Sequence, residues 1–422
     1  MSGSIVHGLN ILVVMFSYPL YINFLGFELF SVWVLLSVVI AFAKMGELGI
    51  SKAIISFVAR ENANNNHIEI RRIVSNSIYI IIIPSILIFL ALWMLKGNIV
   101  KFLNIPDVHI TIAIQVIPFI GIAIVSYLIY DIFSGVISGL GRLDISNALL
   151  LFLNITKVVI SIIFLLFGYT LFALIYGILV SNALFILIKI ILITIKFKIP
   201  LHKLKKPHKN NIKQLLNFGL SIIGMQVFNM LSFPFIKIVL SNTIGIDAVG
   251  IFELATKAGY AVRTLFEKGL FALMPEISYL SKKHNNLNES KAVVYEKVMK
   301  FSKYLVYFAV PFFILLSISA PLWLKLWLGI NYNKSILMGY LLLQPGIIAG
   351  LLALPSFYAL MATDNQIKCF IESVIRALII FALFALFFFY RISIYEAFIF
   401  LSISVIISNL YIITTFRMKY RF

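Results

Sequence analysis

Charge is what this chain has least of. Only 12% of its 422 residues are charged, with 16 acids set against 35 Lys and Arg. A soluble protein carries about 25% charged residues, so an ordinary water-soluble domain is excluded. Cysteine is almost missing too. Cys369 stands alone, which rules out a disulfide framework or a cysteine-based metal site. The six histidines form no H-E-x-x-H, and there is neither a Walker G-x-x-x-x-G-K-[ST] sequence nor a nucleophile elbow. ATP therefore does not drive the chain directly, and no catalytic residue, metal or cofactor is expected. Gly139-Leu140-Gly141-Arg142-Leu143-Asp144 begins like a nucleotide-binding loop, but no strand precedes it and the third glycine is missing. It reads as a tight turn. Asn154-Ile155-Thr156 matches a glycosylation acceptor, yet falls inside an apolar stretch.

What is present is hydrocarbon. The chain is 62% hydrophobic, with a mean hydropathy of +1.04. Membrane spans need about 20 mostly apolar residues, and approximately twelve can be read. They are 6–25, 30–57, 75–98, 109–138, 146–167, 171–195, 215–241, 248–275, 301–324, 336–361, 368–389 and 394–416. No charged side chain precedes Glu28, so the first run lacks the basic region of a signal peptide. It reads as a retained helix, interrupted by Asn10, Ser17, Tyr18, Pro19 and Asn23. The longest outer loop, Gly97 to Val108, leaves no room for an extracytoplasmic catalytic domain, so an enzyme is not expected.

Loop charge orients the spans. With both termini cytoplasmic, the inner segments hold 21 of the 35 Lys and Arg, and the outer loops hold 5. That asymmetry follows the positive-inside rule. The formal charge of +19 is thereby explained without nucleic acid as a partner. The richest segment, Lys196 to Lys213, reads as a basic inter-domain linker. The chain divides into a bundle over 1–200, a linker over 201–214 and a second bundle over 215–422. The segment Lys291 to Phe308 looks amphipathic as it enters the ninth span.

The halves resemble each other at an offset of 219 residues. Leu25 to Trp33 (L-G-F-E-L-F-S-V-W) aligns with Ile244 to Phe252 (I-G-I-D-A-V-G-I-F). Ser17-Tyr18-Pro19 similarly resembles Ser232-Phe233-Pro234, shifted by about one helical turn. Two halves of six helices share an orientation, which makes a parallel repeat with its substrate site expected near the midplane between them. The expected fold is an all-α polytopic membrane protein, with about 12 transmembrane helices in two pseudo-symmetric six-helix bundles around a central cavity.

Nine Lys and Arg interrupt the spans: Lys44, Lys52, Lys157, Lys189, Lys237, Lys257, Arg263, Lys268 and Arg376. A cation at the centre of a membrane helix costs at least about 2.5–3.5 kcal/mol, so each needs water, a partner or an anion. The repeat places Lys44 on Arg263 and Lys157 on Arg376. Glu47 follows Lys44 at i+3, and Glu267 follows Arg263 at i+4, each on the same helical face. These four cations are expected to face a polar cavity. Lys52, Lys189 and Lys237 lie near helix ends and read as headgroup-seeking lysines. Lys257 is either a cavity cation or a private partner of Glu253, and Lys268 beside Glu267 stays open. Asp131 and Glu372 are either ion sites or locally paired.

Pro19-Leu20-Tyr21, Leu25-Gly26-Phe27-Glu28, Trp33 and Gly46-Glu47-Leu48-Gly49-Ile50, with Ala53 and Ala59-Arg60, resemble bacterial polysaccharide repeat-unit flippases of the Wzx type. These belong to the multidrug/oligosaccharidyl-lipid/polysaccharide exporter superfamily. Gly245-x-Asp247-x-x-Gly250-x-Phe252, Lys257 and Ala272-Leu273-Met274-Pro275-x-x-Ser278 extend the likeness into the second half. The resemblance implies alternating-access transport of an undecaprenyl-diphosphate-linked oligosaccharide across the bacterial cytoplasmic membrane, from its inner to its outer leaflet. It also implies a cationic cavity, to which Lys44, Lys157, Lys257, Arg263, Lys268 and Arg376 are assigned. Glu47, Glu267 and Asp131 are assigned to ion coupling. Asn10, Asn23, Gln226 and Asn229 are assigned to sugar contacts. The expected partners are the lipid-linked glycan, membrane lipids and polysaccharide polymerase and chain-length machinery, with the protein itself a monomer. Three rivals stand beside this reading. A multidrug exporter should have net acidic buried residues, and a lipid II flippase typically has two further C-terminal helices. A passive anion channel or structural partner forms a third class.

Overall fold

The computed structural model describes residues 3–45, 49–200, 227–228, 230–271, 273–283, 287–363, 365–390 and 392–420. Among them there is no strand, only helices joined by short turns. The chain forms two compact units, Met1–Met230 and Leu231–Phe422. The expected linker at 201–214 lies outside the described residues.

The first unit contains α1 (Gly3–Leu25), α2 (Phe27–Met45), α3 (Ile50–Ala63), α4 (His67–Phe102), α5 (Asp107–Gly139), α6 (Leu143–Leu166) and α7 (Thr170–Ile191). Its organising element is α5, the fourth span, which packs against α2, α3, α4, α6 and α7. Small residues permit that centrality, because helices in lipid associate by close van der Waals contact. At Gly139 an added Cβ would lie 2.7 Å from Cβ of Val58, so α3 and α5 touch nearly backbone to backbone. The Gly139–Asp144 turn is present as the sequence predicts. Gly141 has φ +79°, and Arg142 closes the turn with bonds of 2.9 and 2.7 Å to Asp144.

The second unit contains α8 (Met230–Thr243, from its second residue), α9 (Ile246–Leu270), α10 (Leu273–Lys283), α11 (Leu287–Tyr304), α12 (Val310–Ile318), α13 (Ala320–Leu328), α14 (Lys334–Ala362), α15 (Gln366–Ala385) and α16 (Ile394–Tyr420). Here too the fourth span of the half, α14, is central, touching α9, α10, α11, α15 and α16. Gly346 gives it access to α16. An added Cβ would come 2.8 Å from Cα of Ser402, and the Gly346 amide donates to the Ser402 hydroxyl at 2.8 Å. The pseudo-symmetry read from the sequence therefore reappears in the packing, with each unit built on its fourth membrane helix.

Nine helical stretches among the described residues are long and apolar enough to cross a membrane. Shorter apolar helices, Phe27–Phe42 and Met230–Thr243, add two. The 25-residue α9 is long enough as well but carries Asp247, Glu253, Lys257, Arg263, Glu267 and Lys268. These correspond in order to the twelve expected spans, with residues 215–226 and 229 of the seventh lying outside the described residues, and the outward faces are apolar; Ile83 is 66% exposed and Met94 76%.

Two spans differ from expectation. The stretch 30–57 is not one helix. It divides before α3, where Gly49 adopts a left-handed conformation with φ +63° that a continuous right-handed helix cannot contain. The ninth span does not run through 301–324. The membrane stretch is Asn288–Ile318, and Ser319 separates α12 from α13. Pro321 stands within the first turn of α13, where its missing N–H costs nothing. A π-turn, Leu305–Ala309, joins the amphipathic α11 to the apolar α12.

Candidate functional site

The second unit gathers charge along one face of α9. Glu253, Lys257, Tyr260, Arg263 and Glu267 recur at spacings of four, three, three and four, so they form a single stripe on the helix. The opposite face, with Ala248, Ile251, Ala255 and Ala258, is buried. An otherwise apolar element thus carries a polar ladder about 21 Å long, at 1.5 Å per residue.

Arg263 occupies the middle of this ladder. Its guanidinium lies 5.5 Å from the centre of the Tyr260 ring. It also packs on Gly350 of α14, where an added Cβ would sit 3.4 Å from Nη2. Its buried Nε has no hydrogen-bond partner. Among the described residues, no carboxylate is within ion-pair distance of it. Glu267 instead uses its backbone carbonyl, which accepts from the Tyr358 hydroxyl at 3.2 Å.

A second arginine, Arg376, lies on α15. Both Arg263 and Arg376 act electrostatically on Tyr260. Arg376 donates to Glu372 one helical turn earlier, at 2.8 Å. Its Nε is likewise buried and unpartnered. Glu372, only 2% exposed, is therefore a locally paired carboxylate. Glu372 is thus engaged by Arg376, while Arg263 and Arg376 each keep a buried Nε donor without a partner.

A charged triad, two of its members buried, lies further along the stripe. Glu253 is 2.8 Å from Lys237 of α8 and 3.6 Å from Lys257. Lys237 does not reach for headgroups as expected, because its ammonium is buried against an acid on the neighbouring helix. Lys257 is the outer, more exposed partner, and its charge exceeds what Glu253 neutralises. Lys268 is exposed at the end of α9.

In the first unit, Lys157 is held by neutral groups. Its ammonium donates to Asn154 Oδ1 at 2.8 Å, and Asn154 Nδ2 donates to Asn10 Oδ1 at 2.7 Å. This chain of hydrogen bonds ties α6 to α1. Lys189 also corrects the expectation of a headgroup-seeking lysine. It is completely buried, donates to Ser134, and its ammonium lies 3.0 Å from the centre of the Tyr130 ring. Asp131 acts on it electrostatically, and the Asp131 backbone carbonyl accepts from Ser51 at 3.4 Å. Cation–π contact and a hydroxyl on α5 replace the water that a headgroup position offers.

The remaining expected residues are distributed as follows. Lys44 lies near the end of α2, with its side chain outside the described set. Glu47, Gln226 and Asn229 also lie outside the described residues. Lys52 and Asn23 are exposed, and Asp131 is half-buried. Sequence reasoning missed Tyr260 and Gln344. Tyr260 was detectable from its place on the α9 stripe. Gln344 is a buried amide of α14 whose Oε1 lacks a partner, and its one signal was a glutamine in a strongly apolar run.

Solved structures with the same fold were found. One is the inward-facing conformation of a multidrug resistance MATE family transporter of the MOP superfamily. It is 13% identical, with a TM-score of 0.80, covering 100% of this chain and 95% of that one. Another is a MOP superfamily transporter from Pyrococcus furiosus, described as having a reverse polarity of its binding pocket. It is 13% identical, with a TM-score of 0.68 and coverage of 99% and 94%. At such identities the likeness establishes the fold. Among curated proteins, none is similar enough in sequence to count as a match. The family described as "Polysaccharide biosynthesis protein" matches residues 2–281, two thirds of the sequence, and the chain belongs to that family.

Proposed function

We propose that this protein is a flippase for undecaprenyl-diphosphate-linked oligosaccharide repeat units, moving them from the inner to the outer leaflet of the bacterial cytoplasmic membrane. The observation that carries the reading is Arg263, whose buried Nε has no hydrogen-bond partner and which acts with Arg376 on Tyr260. A diphosphate supplies the acceptors those donors lack. Arginine suits it because a planar fork can grip phosphate oxygens bidentately. At an effective dielectric of about 20, one unit-charge pair at 4 Å is worth about 4 kcal/mol before desolvation, so two arginines and Lys257 offset much of the cost of moving the headgroup.

Family membership supports the glycan, and the unpartnered donors of Arg263 and Arg376 favour an anion over an organic cation. For the Pyrococcus furiosus transporter, reversed pocket polarity was likewise taken to suggest a different function. The reading includes two bundles at 1–200 and 215–422, a monomer with both termini cytoplasmic, and work alongside polymerase and chain-length machinery. Lys44 and Lys157 are the counterparts of Arg263 and Arg376, and Asn10 contributes to sugar binding through its contact with Asn154. Coupling to an ion gradient assigns the ion to Asp131, Glu267 or Glu47. Transport that persists unchanged after the gradients are collapsed removes the coupling.

The test is glycan export in cells carrying Arg263→Gln or Lys257→Gln. Each variant should reach the membrane folded yet lower export of surface glycan at least tenfold, with lipid-linked precursor accumulating inside. Full export by both overturns the reading.

A further inference from the structure

On α8 and α9 one carboxylate stands between two ammonium groups. Glu253 is 2.8 Å from Lys237 and 3.6 Å from Lys257. Glu253 and Lys237 are buried, at 6% and 9% exposure, while the Lys257 side chain is 46% exposed. Aromatic packing fixes this register. Phe233, one helical turn before Lys237, meets the Phe252 ring at 6.1 Å and the Tyr260 ring at 5.7 Å between centroids. With α8 held against α9 there, the next turn of α8 brings Lys237 onto Glu253.

The first half makes the matching helices without such a triad. By the 219-residue offset, Val34 and Val38 match Glu253 and Lys257. Ile22 matches Lys237, since it follows Ser17 as Lys237 follows Ser232 in the shifted alignment. All three first-half residues are buried and apolar. A buried ion pair is a weak source of stability, because desolvation takes back much of the attraction. The second half thus places ions where the first half uses apolar packing, and a role in the charge of the α9 stripe accounts for them.

A single carboxylate neutralises one ammonium. Without Lys237, Glu253 would draw Lys257, its neighbour at i+4, into a full ion pair. With Lys237 seated at the shorter distance, that demand is already met. We propose that Lys237 is a positioning residue that occupies Glu253 and so holds Lys257 available to an anionic ligand. The proposal rests on the flippase reading for the identity of that ligand, a lipid-linked diphosphate. Lys237 itself does not touch it.

The experiment uses the full-length protein in lipid nanodiscs with two readouts. One is the rate at which N-acetoxysuccinimide acylates Lys257 at fixed pH, followed by mass spectrometry. The other is affinity for undecaprenyl diphosphate. Lys237→Met should slow Lys257 acylation about two- to fivefold, the strength of a half-exposed ion pair, and weaken diphosphate binding by a similar factor. Adding Glu253→Gln to Lys237→Met should restore both to the native level or above, a rescue that a packing role would not give. The single variant leaves a buried carboxylate short of a partner and can fail to fold, so the double variant also decides alone. Slower Lys257 acylation or weaker diphosphate binding in the double variant than in the native protein would overturn the proposal. Unchanged Lys257 acylation in folded Lys237→Met would overturn it as well. Acylation that follows the expected pattern in a native protein with no affinity for the diphosphate would remove the flippase reading and leave the role of Lys237 standing.

Discussion

Arg263, partly buried, and Lys189, fully buried, are both cations of membrane helices, yet their surroundings assign them different work. Lys189 is satisfied by Ser134 and the Tyr130 ring, whereas Arg263 keeps a buried donor unused. Taking a charge out of water carries a desolvation penalty of several kcal/mol, which an apolar residue of similar volume does not meet. Lys189→Met should therefore leave the melting temperature in detergent unchanged or raise it, with export retained. A clear drop in melting temperature would contradict that assignment. Arg376→Leu should behave oppositely, because it strands the buried Glu372 carboxylate at a cost of about 3–5 kcal/mol. The double variant Arg376→Leu with Glu372→Leu should recover most of the stability, as read by thermal unfolding in the same detergent.

How much of this was legible depends on where the partner sits. Arg263 and Arg376 stood out because the 219-residue offset matched them to Lys44 and Lys157 within the sequence itself. Lys237 was misread because its partner, Glu253, is on the next helix, 16 residues away, and distance from a helix end says nothing about the neighbour. Lys189 was misread for the same reason, since the groups that satisfy it belong to α5.

At the scale of elements, apolar length and loop charge located the membrane helices, but not their interruptions. Gly49 gave little warning of the break before α3, because a glycine inside an apolar run is also a packing residue. At Ser319 the following Pro321 was the better signal. Close packing was equally hidden: many glycines lie in spans, and only the fold shows that Gly346 meets the backbone of Ser402. Gly346→Leu should force α14 from α16 and destabilise the second unit by about 1–3 kcal/mol, as overpacking does. Limited proteolysis or thermal unfolding checks this, and an unaltered melting temperature would show that α14 has slack.

For the whole molecule, the repeat was read correctly because each half reuses one plan. α5 and α14, the fourth span of each half, are central to their own units. Orientation rests on loop charge alone and can be measured directly. Cys369 is buried, so its thiol gives little background labelling. Ile330→Cys should react with a membrane-impermeant maleimide in intact cells, and Arg142→Cys only after permeabilisation. The reverse pattern would invert the topology.

The central claim is that the α9–α15 arginines bind the diphosphate of a lipid carrier. Its most direct test is the affinity of the purified protein in nanodiscs for undecaprenyl diphosphate, compared with undecaprenol. A charge-assisted hydrogen bond is worth about 1.5–3 kcal/mol, so Arg263→Gln should weaken diphosphate binding by about 10- to 100-fold and leave undecaprenol binding unchanged. Equal affinity of the native and variant proteins for the diphosphate would contradict the account.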